Sequence, residues 1–186
     1  AIKSFLGNID QDSVKRDLVL SIRALTPLYR IKDIVTKRNS SIKYPDTKLT
    51  LIYPFYEDEY KQETLKIFKA SDADLGRVDR LRMYRLLVRT KLVISIPTSD
   101  SSPRSVYEAI FCGCAVAITY HPYYDALPQC MKSRIILIDI ESGNWLDEAI
   151  ENSIYITNSQ FCPSNQALMM FDQKKSFKKI EELLLR

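Results

Sequence analysis

The chain of 186 residues contains one histidine, His121, and four cysteines, Cys112, Cys114, Cys130 and Cys162. That inventory is thin for a metal centre. Zinc sites draw on several Cys and His ligands, and Cys112 and Cys114 flank a single glycine, tighter than Cys-x-x-Cys. No metal is expected, and reduced, partly buried thiols in a cytoplasmic protein are the plain reading. No apolar run approaches the roughly 18 residues that span a bilayer. Internal repeats and low-complexity segments are missing as well. What remains is a hydrophobic fraction of 46% and a charged fraction of 27%, ordinary for a soluble domain. The length suits one domain with a full core and is short for two.

The net charge is +4 and unevenly spread, with Arg77, Arg80, Arg82, Arg85, Arg89 and Lys91 in one short stretch. Such a cluster can serve a phosphate or nucleic-acid surface, or peripheral contact with an anionic membrane, including the inner membrane surface. The plainer reading is a solvated helix whose Leu81, Tyr84, Leu87 and Val88 face inward. No aromatic platform interleaves with these arginines, so nucleic acid is not expected as a partner. The run Lys174-Lys175-Ser-Phe-Lys178-Lys179 takes the same reading.

Apolar stretches alternate with amphipathic ones. Strands are expected over 17–22, 48–54, 92–96, 115–119 and 134–139, with a short strand or extended loop over 72–78. Helices are expected over 27–38, 57–69, 79–89, 106–111, 144–155 and 165–185. Tyr60, Thr64, Ile67 and Phe68 give the second helix its inner face. The segment 39–47 is polar and reads as a mobile loop. Strict alternation of strand and helix predicts an α/β fold, a doubly wound, Rossmann-like parallel sheet of about six strands with helices on both faces.

The most informative stretch runs Pro97-Thr-Ser-Asp100-Ser-Ser-Pro-Arg-Ser-Val-Tyr-Glu108-Ala-Ile-Phe-Cys-Gly113-Cys. A strand buried on both faces leads through turn residues into a helix, with Pro103 in its first turn and Ser102 placed as its cap. Gly113 is placed to end that helix. In a parallel sheet, ligands bind where strand carboxyl ends and helix amino ends converge. The amides of Ser101 to Ser105 suit a diphosphate, and Arg104 lies at the same helix start. Asp100 and Glu108 are spaced to grip hydroxyls at opposite ends of an elongated ligand. Glu108, among apolar neighbours, wants a partner.

This stretch resembles the donor-binding half of retaining glycosyltransferases of the GT-B fold, family 4 type. Their signature is Glu, seven residues, Glu, then Ala and a small-residue turn. Here Asp100 stands first and Glu108 second, followed by Ala109 and Cys112-Gly113-Cys114. Ser99-Asp100-Ser101-Ser102-Pro103 is similar to a family variant, Ser-Asp-Gly-Thr-Pro, without its glycine. The resemblance gives Asp100 a contact with donor-sugar hydroxyls and Glu108 one with the nucleotide ribose. Leu18-Val-Leu-Ser-Ile-Arg23-Ala-Leu-Thr-Pro resembles the first strand and helix of the same domain. There the family arginine binds the diphosphate, which gives that role to Arg23. Its fork-shaped guanidinium can bond two oxygens at once. Many members add a Lys five or six residues on, where this chain has Leu28 and Tyr29; Arg30 and Lys32 are the nearest cations.

Leu6-Gly7-Asn8-Ile9-Asp10 resembles the link that joins the family's two halves. Residues 1–16 are therefore expected as an interdomain hinge and 17–186 as the nucleotide-sugar-binding domain. The resemblance implies a transferase in polysaccharide biosynthesis. Its partners would be a nucleotide-sugar donor and an N-terminal acceptor-binding domain missing from this chain. Arg23, Asp100 and Glu108 would act catalytically. Arg23, Asp100, Ser101, Ser102, Arg104, Ser105 and Glu108 would bind the donor, with no cofactor and no metal. Two other readings stay open: a sugar-nucleotide epimerase domain, and a module of the same fold without chemistry. His121, in a Tyr-rich turn, reads as structural.

Overall fold

The computed structural model describes residues 14–172. Six parallel strands form one sheet in the order β3-β2-β1-β4-β5-β6. They are β1 (Leu18–Ser21), β2 (Leu49–Ile52), β3 (Ala73–Gly76), β4 (Thr90–Ser95), β5 (Ala115–Ile118) and β6 (Ile135–Leu137). Seven α-helices lie among the described residues: α1 (Ile31–Asn39), α2 (Asp58–Lys66), α3 (Arg80–Val88), α4 (Arg104–Phe111), α5 (Gln129–Lys132), α6 (Trp145–Thr157) and α7 (Asn165–Met170). The expected α/β, doubly wound architecture is present. No described helix is long and apolar enough to cross a membrane.

The apolar strand runs follow from helices on both faces. On one face, Val19, Leu51, Leu92, Ile94 and Ala117 pack against Ile34 and Val35 of α1 and Trp145, Leu146 and Ile150 of α6. On the other, Leu20, Val93 and Val116 pack against Tyr84 and Leu87 of α3, Val106 and Ile110 of α4, and Met131 of α5. In β4 and β5 every residue but Lys91 is buried. The weakly apolar segment 72–78 does hold a strand, β3, which among the described residues pairs only with β2, at the sheet edge, where fewer buried side chains are required.

Several expectations shift. The helix over 27–38 divides: Pro27–Tyr29 form a 3-10 turn, and Arg30 takes a left-handed conformation at φ 54° before α1 begins. Pro103 is not inside the helix but caps it from an extended conformation, and Ser102 is not the cap. The Pro103 carbonyl instead accepts from the amides of Val106 (3.0 Å) and Tyr107 (3.2 Å). Leu81 is 49% exposed, because the buried face of α3 starts one turn later, at Tyr84. The short α5 follows Pro128 and was not apparent from so brief a pattern.

The polar loop at 40–47 is tied down. Ser41 donates to Asp147 of α6, Lys43 pairs with Glu151 at 2.6 Å, and Arg38 donates to the Thr47 carbonyl at 2.7 Å. Its polarity matches the acidic groups of α6 rather than serving solvation alone. Gly113, at φ 82°, ends α4 as expected. The last helix is six residues long and capped by Ser164, and Phe171 follows it. The rest of the expected final helix, the basic run at 174–179 and the hinge resemblance at 6–10 lie outside the described residues.

Candidate functional site

β1 lies between β2 and β4, and the strand order reverses there. In an open parallel sheet, the loops after two such strands part and leave a crevice at the carboxyl edge. A cleft of about 540 Å³ occupies this place, lined by residues that follow β1, β2, β3 and β4. Arg23, Asp100, Ser102, Arg104, Ser105 and Glu108 all line it. Ser101 is exposed and does not.

Arg23 leaves the end of β1 and meets the turn after β4. Its Nη2 donates to Asp100 Oδ2 at 2.8 Å and its Nη1 to Ser105 Oγ at 3.0 Å. The Tyr29 ring lies under the guanidinium, with Cζ 4.5 Å from the ring centroid. The break at Arg30 separates Tyr29 from α1 and leaves it beside Arg23. Side chains of Arg23 and Asp100 are 9% and 10% exposed, so neither charge is fully hydrated. Among the described residues, Asp100 accepts this bond on Oδ2 and none on Oδ1.

Glu108, one to two turns into α4, accepts a hydrogen bond from the Tyr84 hydroxyl at 3.2 Å. That is the partner its apolar setting requires. Burial pushes the Tyr84 phenol up to about 12, with the charge of Glu108 adding to the shift. Burial also raises Tyr123, and Asp100 adds to this while Arg23 opposes it. Among the described residues, no side chain caps the start of α4.

The rest of the lining was not visible as a motif. Ile52, Pro54, Phe55, Val78 and Met83 supply an apolar wall, and Arg77 joins the charged groups. Arg77 is exposed like the other arginines of its cluster but borders the cleft. Arg80, Arg82, Arg85 and Arg89 are exposed and fit the solvated reading given to the cluster. The only sequence signal for Arg77 is its place directly after β3, at the carboxyl edge. Arg30 and Lys32 do not supply the second cation: they pair with Asp33 at 2.8 Å and Glu63 at 2.6 Å, away from the cleft.

His121 stays outside the cleft lining. Its Nε2 lies 3.2 Å from Thr119 Oγ1 and 3.3 Å from the Pro97 carbonyl, and its ring stacks on Tyr123. Cys112 and Cys114 are buried and unbridged, and burial raises both thiols, Cys114 to about 12. Among the described residues, no cluster of His, Cys, Asp and Glu has the grouping of a metal site.

No family model and no curated protein matches the chain in sequence. Solved structures do match in shape. AviGT4, a glycosyltransferase involved in avilamycin A biosynthesis, superimposes with a TM-score of 0.57 at 18% identity over 76% of this chain and 43% of its own. TarM of S. aureus, in complex with UDP, gives 0.58 at 15% identity over 78% of this chain and 29% of its own. The C-terminal domain of a group 1 glycosyl transferase, LpcC from Francisella tularensis, gives 0.57 at 13% identity over 76% of this chain and 77% of that domain. The chain thus spans less than half the length of the first two. Its fold is that of a Rossmann-like domain of GT-B glycosyltransferases.

Proposed function

We propose that this domain binds the nucleotide-sugar donor of a retaining glycosyltransferase, the acceptor being held by a second, N-terminal domain. One observation carries the reading: Arg23 and the stretch that holds Asp100, Ser105 and Glu108, two separate parts of the chain, meet in one cleft at the switch point of the sheet. A nucleotide-sugar lies along the carboxyl edge. Arg23 and the first-turn amides of α4 face the diphosphate, where negative charge grows as it departs. Protein cations and dipoles, rather than a metal, offset that charge. Asp100 orients the sugar through Oδ1 while Oδ2 stays on Arg23. Glu108 anchors the ribose hydroxyls, its carboxylate held by Tyr84. The apolar wall of Val78, Met83 and Pro54 receives the base.

Calorimetry of the chain with nucleotides and nucleotide-sugars tests this. Binding is expected, and Glu108→Ala is expected to weaken it. A folded sample that binds none of them at millimolar concentration defeats the reading. A second reading, a binding module without chemistry, is favoured by the neutralisation of Arg23 by Asp100 and by Leu28 and Tyr29 standing where the second cation is expected. Product analysis on a protein carrying both domains separates the two: a transferred sugar supports the enzyme, an epimerised donor a relative of it, and neither supports the module.

A further inference from the structure

Two cations on the cleft are unopposed. Arg77 follows β3 directly and Arg104 opens α4. Among the described residues neither forms an ion pair. The other ionised groups of the lining are engaged, Arg23 with Asp100 and Glu108 with Tyr84. Arg23 and Asp100 cancel, so Glu108 alone stands against two arginines and the cleft carries one net positive charge. That excess belongs to Arg77 and Arg104. They come after strands at opposite ends of the run β3-β2-β1-β4, strands three ladder spacings or about 14 Å apart. Flexible arginine arms on either side of an elongated cleft can close on a charged group between them. Both side chains belong to exposed residues, so neither is committed to the core.

We propose that Arg77 and Arg104 clamp the phosphates of the ligand from opposite walls, and that Arg77 is a phosphate-binding side chain of this site. The clamp supplies the positive charge that Leu28 and Tyr29 do not. It selects a ligand bearing a diphosphate over a neutral nucleoside or free sugar. Because the Arg23–Asp100 pair is already closed, the incoming anion meets the wall cations first, and Arg23 second. This rests on the donor-binding reading above and names the groups that supply its charge.

The test is calorimetry with UDP, uridine and inorganic pyrophosphate on the wild type, Arg77→Gln, Arg104→Gln and Arg80→Gln. Arg80 is exposed, lies next in the same basic stretch and does not line the cleft, so Arg80→Gln removes the same charge elsewhere. Arg77→Gln and Arg104→Gln are each expected to weaken UDP and pyrophosphate about tenfold while leaving uridine within about twofold. Arg80→Gln should behave as the wild type, and added salt should narrow the difference between wild type and Arg77→Gln. Equal UDP affinity in Arg77→Gln and Arg80→Gln overturns the clamp alone. So does an Arg77→Gln loss as large for uridine as for UDP, which would make Arg77 a base contact. Pyrophosphate binding that depends on Arg77, with no binding of any nucleotide, keeps the clamp and removes the donor reading. A folded wild type that binds none of the three overturns both.

Discussion

Arg23 and Asp100 form an ion pair of 2.8 Å between side chains only 9% and 10% exposed, although 77 positions separate them in the chain. The pair gives Asp100 two tasks. One oxygen fixes the arginine, and the proposed contact with the donor sugar falls to the other. It also sets the local charge near zero before any ligand arrives.

Asp100→Asn separates those tasks. The amide oxygen can still accept from Arg23, but the negative charge that offsets the guanidinium is gone. UDP affinity is expected to hold within about threefold or to rise, while the added affinity for a UDP-sugar over UDP falls by roughly tenfold. Calorimetry with the two ligands reads both. A parallel loss for UDP and UDP-sugar would mean that Asp100 serves only to hold Arg23.

The Tyr84–Glu108 hydrogen bond predicts an alkaline signature. A phenol raised to about 12 keeps its proton longer in the fold than in the unfolded chain, where it titrates near 10. Stability from this group is therefore full below about pH 10 and declines as pH rises towards 12. Tyr84→Phe should cost about 0.5–1.5 kcal/mol at neutral pH and flatten that decline. Urea melts at pH 8, 10 and 11 measure both effects. An unchanged pH slope in Tyr84→Phe would reject the assignment.

Arg38 and Asp72 are a fully buried pair beneath β2, and Asp72 also accepts from the Leu49 amide at 2.9 Å and the Lys69 amide at 2.8 Å. Burial pushes the Asp72 carboxyl up, but Arg38 and these two amides outweigh it and hold the group below its ordinary value. Its contribution is present above about pH 4 and is lost as pH falls through the depressed value. Asp72→Ala leaves Arg38 uncompensated and should cost about 3–5 kcal/mol. The check is the denaturation midpoint, together with a weaker acid dependence in the variant.

Thiol reactivity should follow burial. Cys162 is exposed, Cys130 is half-buried beside Ser164, and Cys112 and Cys114 are buried with raised pKa values. A thiol reagent at pH 8 should modify Cys162 first and Cys130 more slowly. Cys112 and Cys114 should react only on unfolding. Mass spectrometry of timed samples reads the order, and early labelling of Cys112 would contradict the packing.

Much of the sheet was legible because parallel strands covered on both faces are written as continuous apolar runs, as in Leu92-Val-Ile-Ser-Ile96. Arg23, Asp100 and Glu108 could be placed in one cleft because each follows or flanks such a run. The left-handed Arg30 was not legible, since an arginine after Pro-Leu-Tyr carries no turn signal of its own. The Tyr84–Glu108 contact joins two helices 24 positions apart, and only packing decides it. Arg77 was hidden by its company: five neighbouring cations made it look like part of a solubilising surface. Charge alone does not reveal which member of a cluster borders a cleft at a sheet edge.

A ribosome delivers β1 and β2 long before β4, the other neighbour of β1, because Leu18 pairs with Thr90. Until residue 95 has emerged, the half-made sheet offers the unpaired side of Leu18–Ser21 to any passing strand. The most central element of the finished domain is thus an open edge in the nascent one. Slow decoding between β2 and β4 would lengthen that exposure and favour aggregation during synthesis.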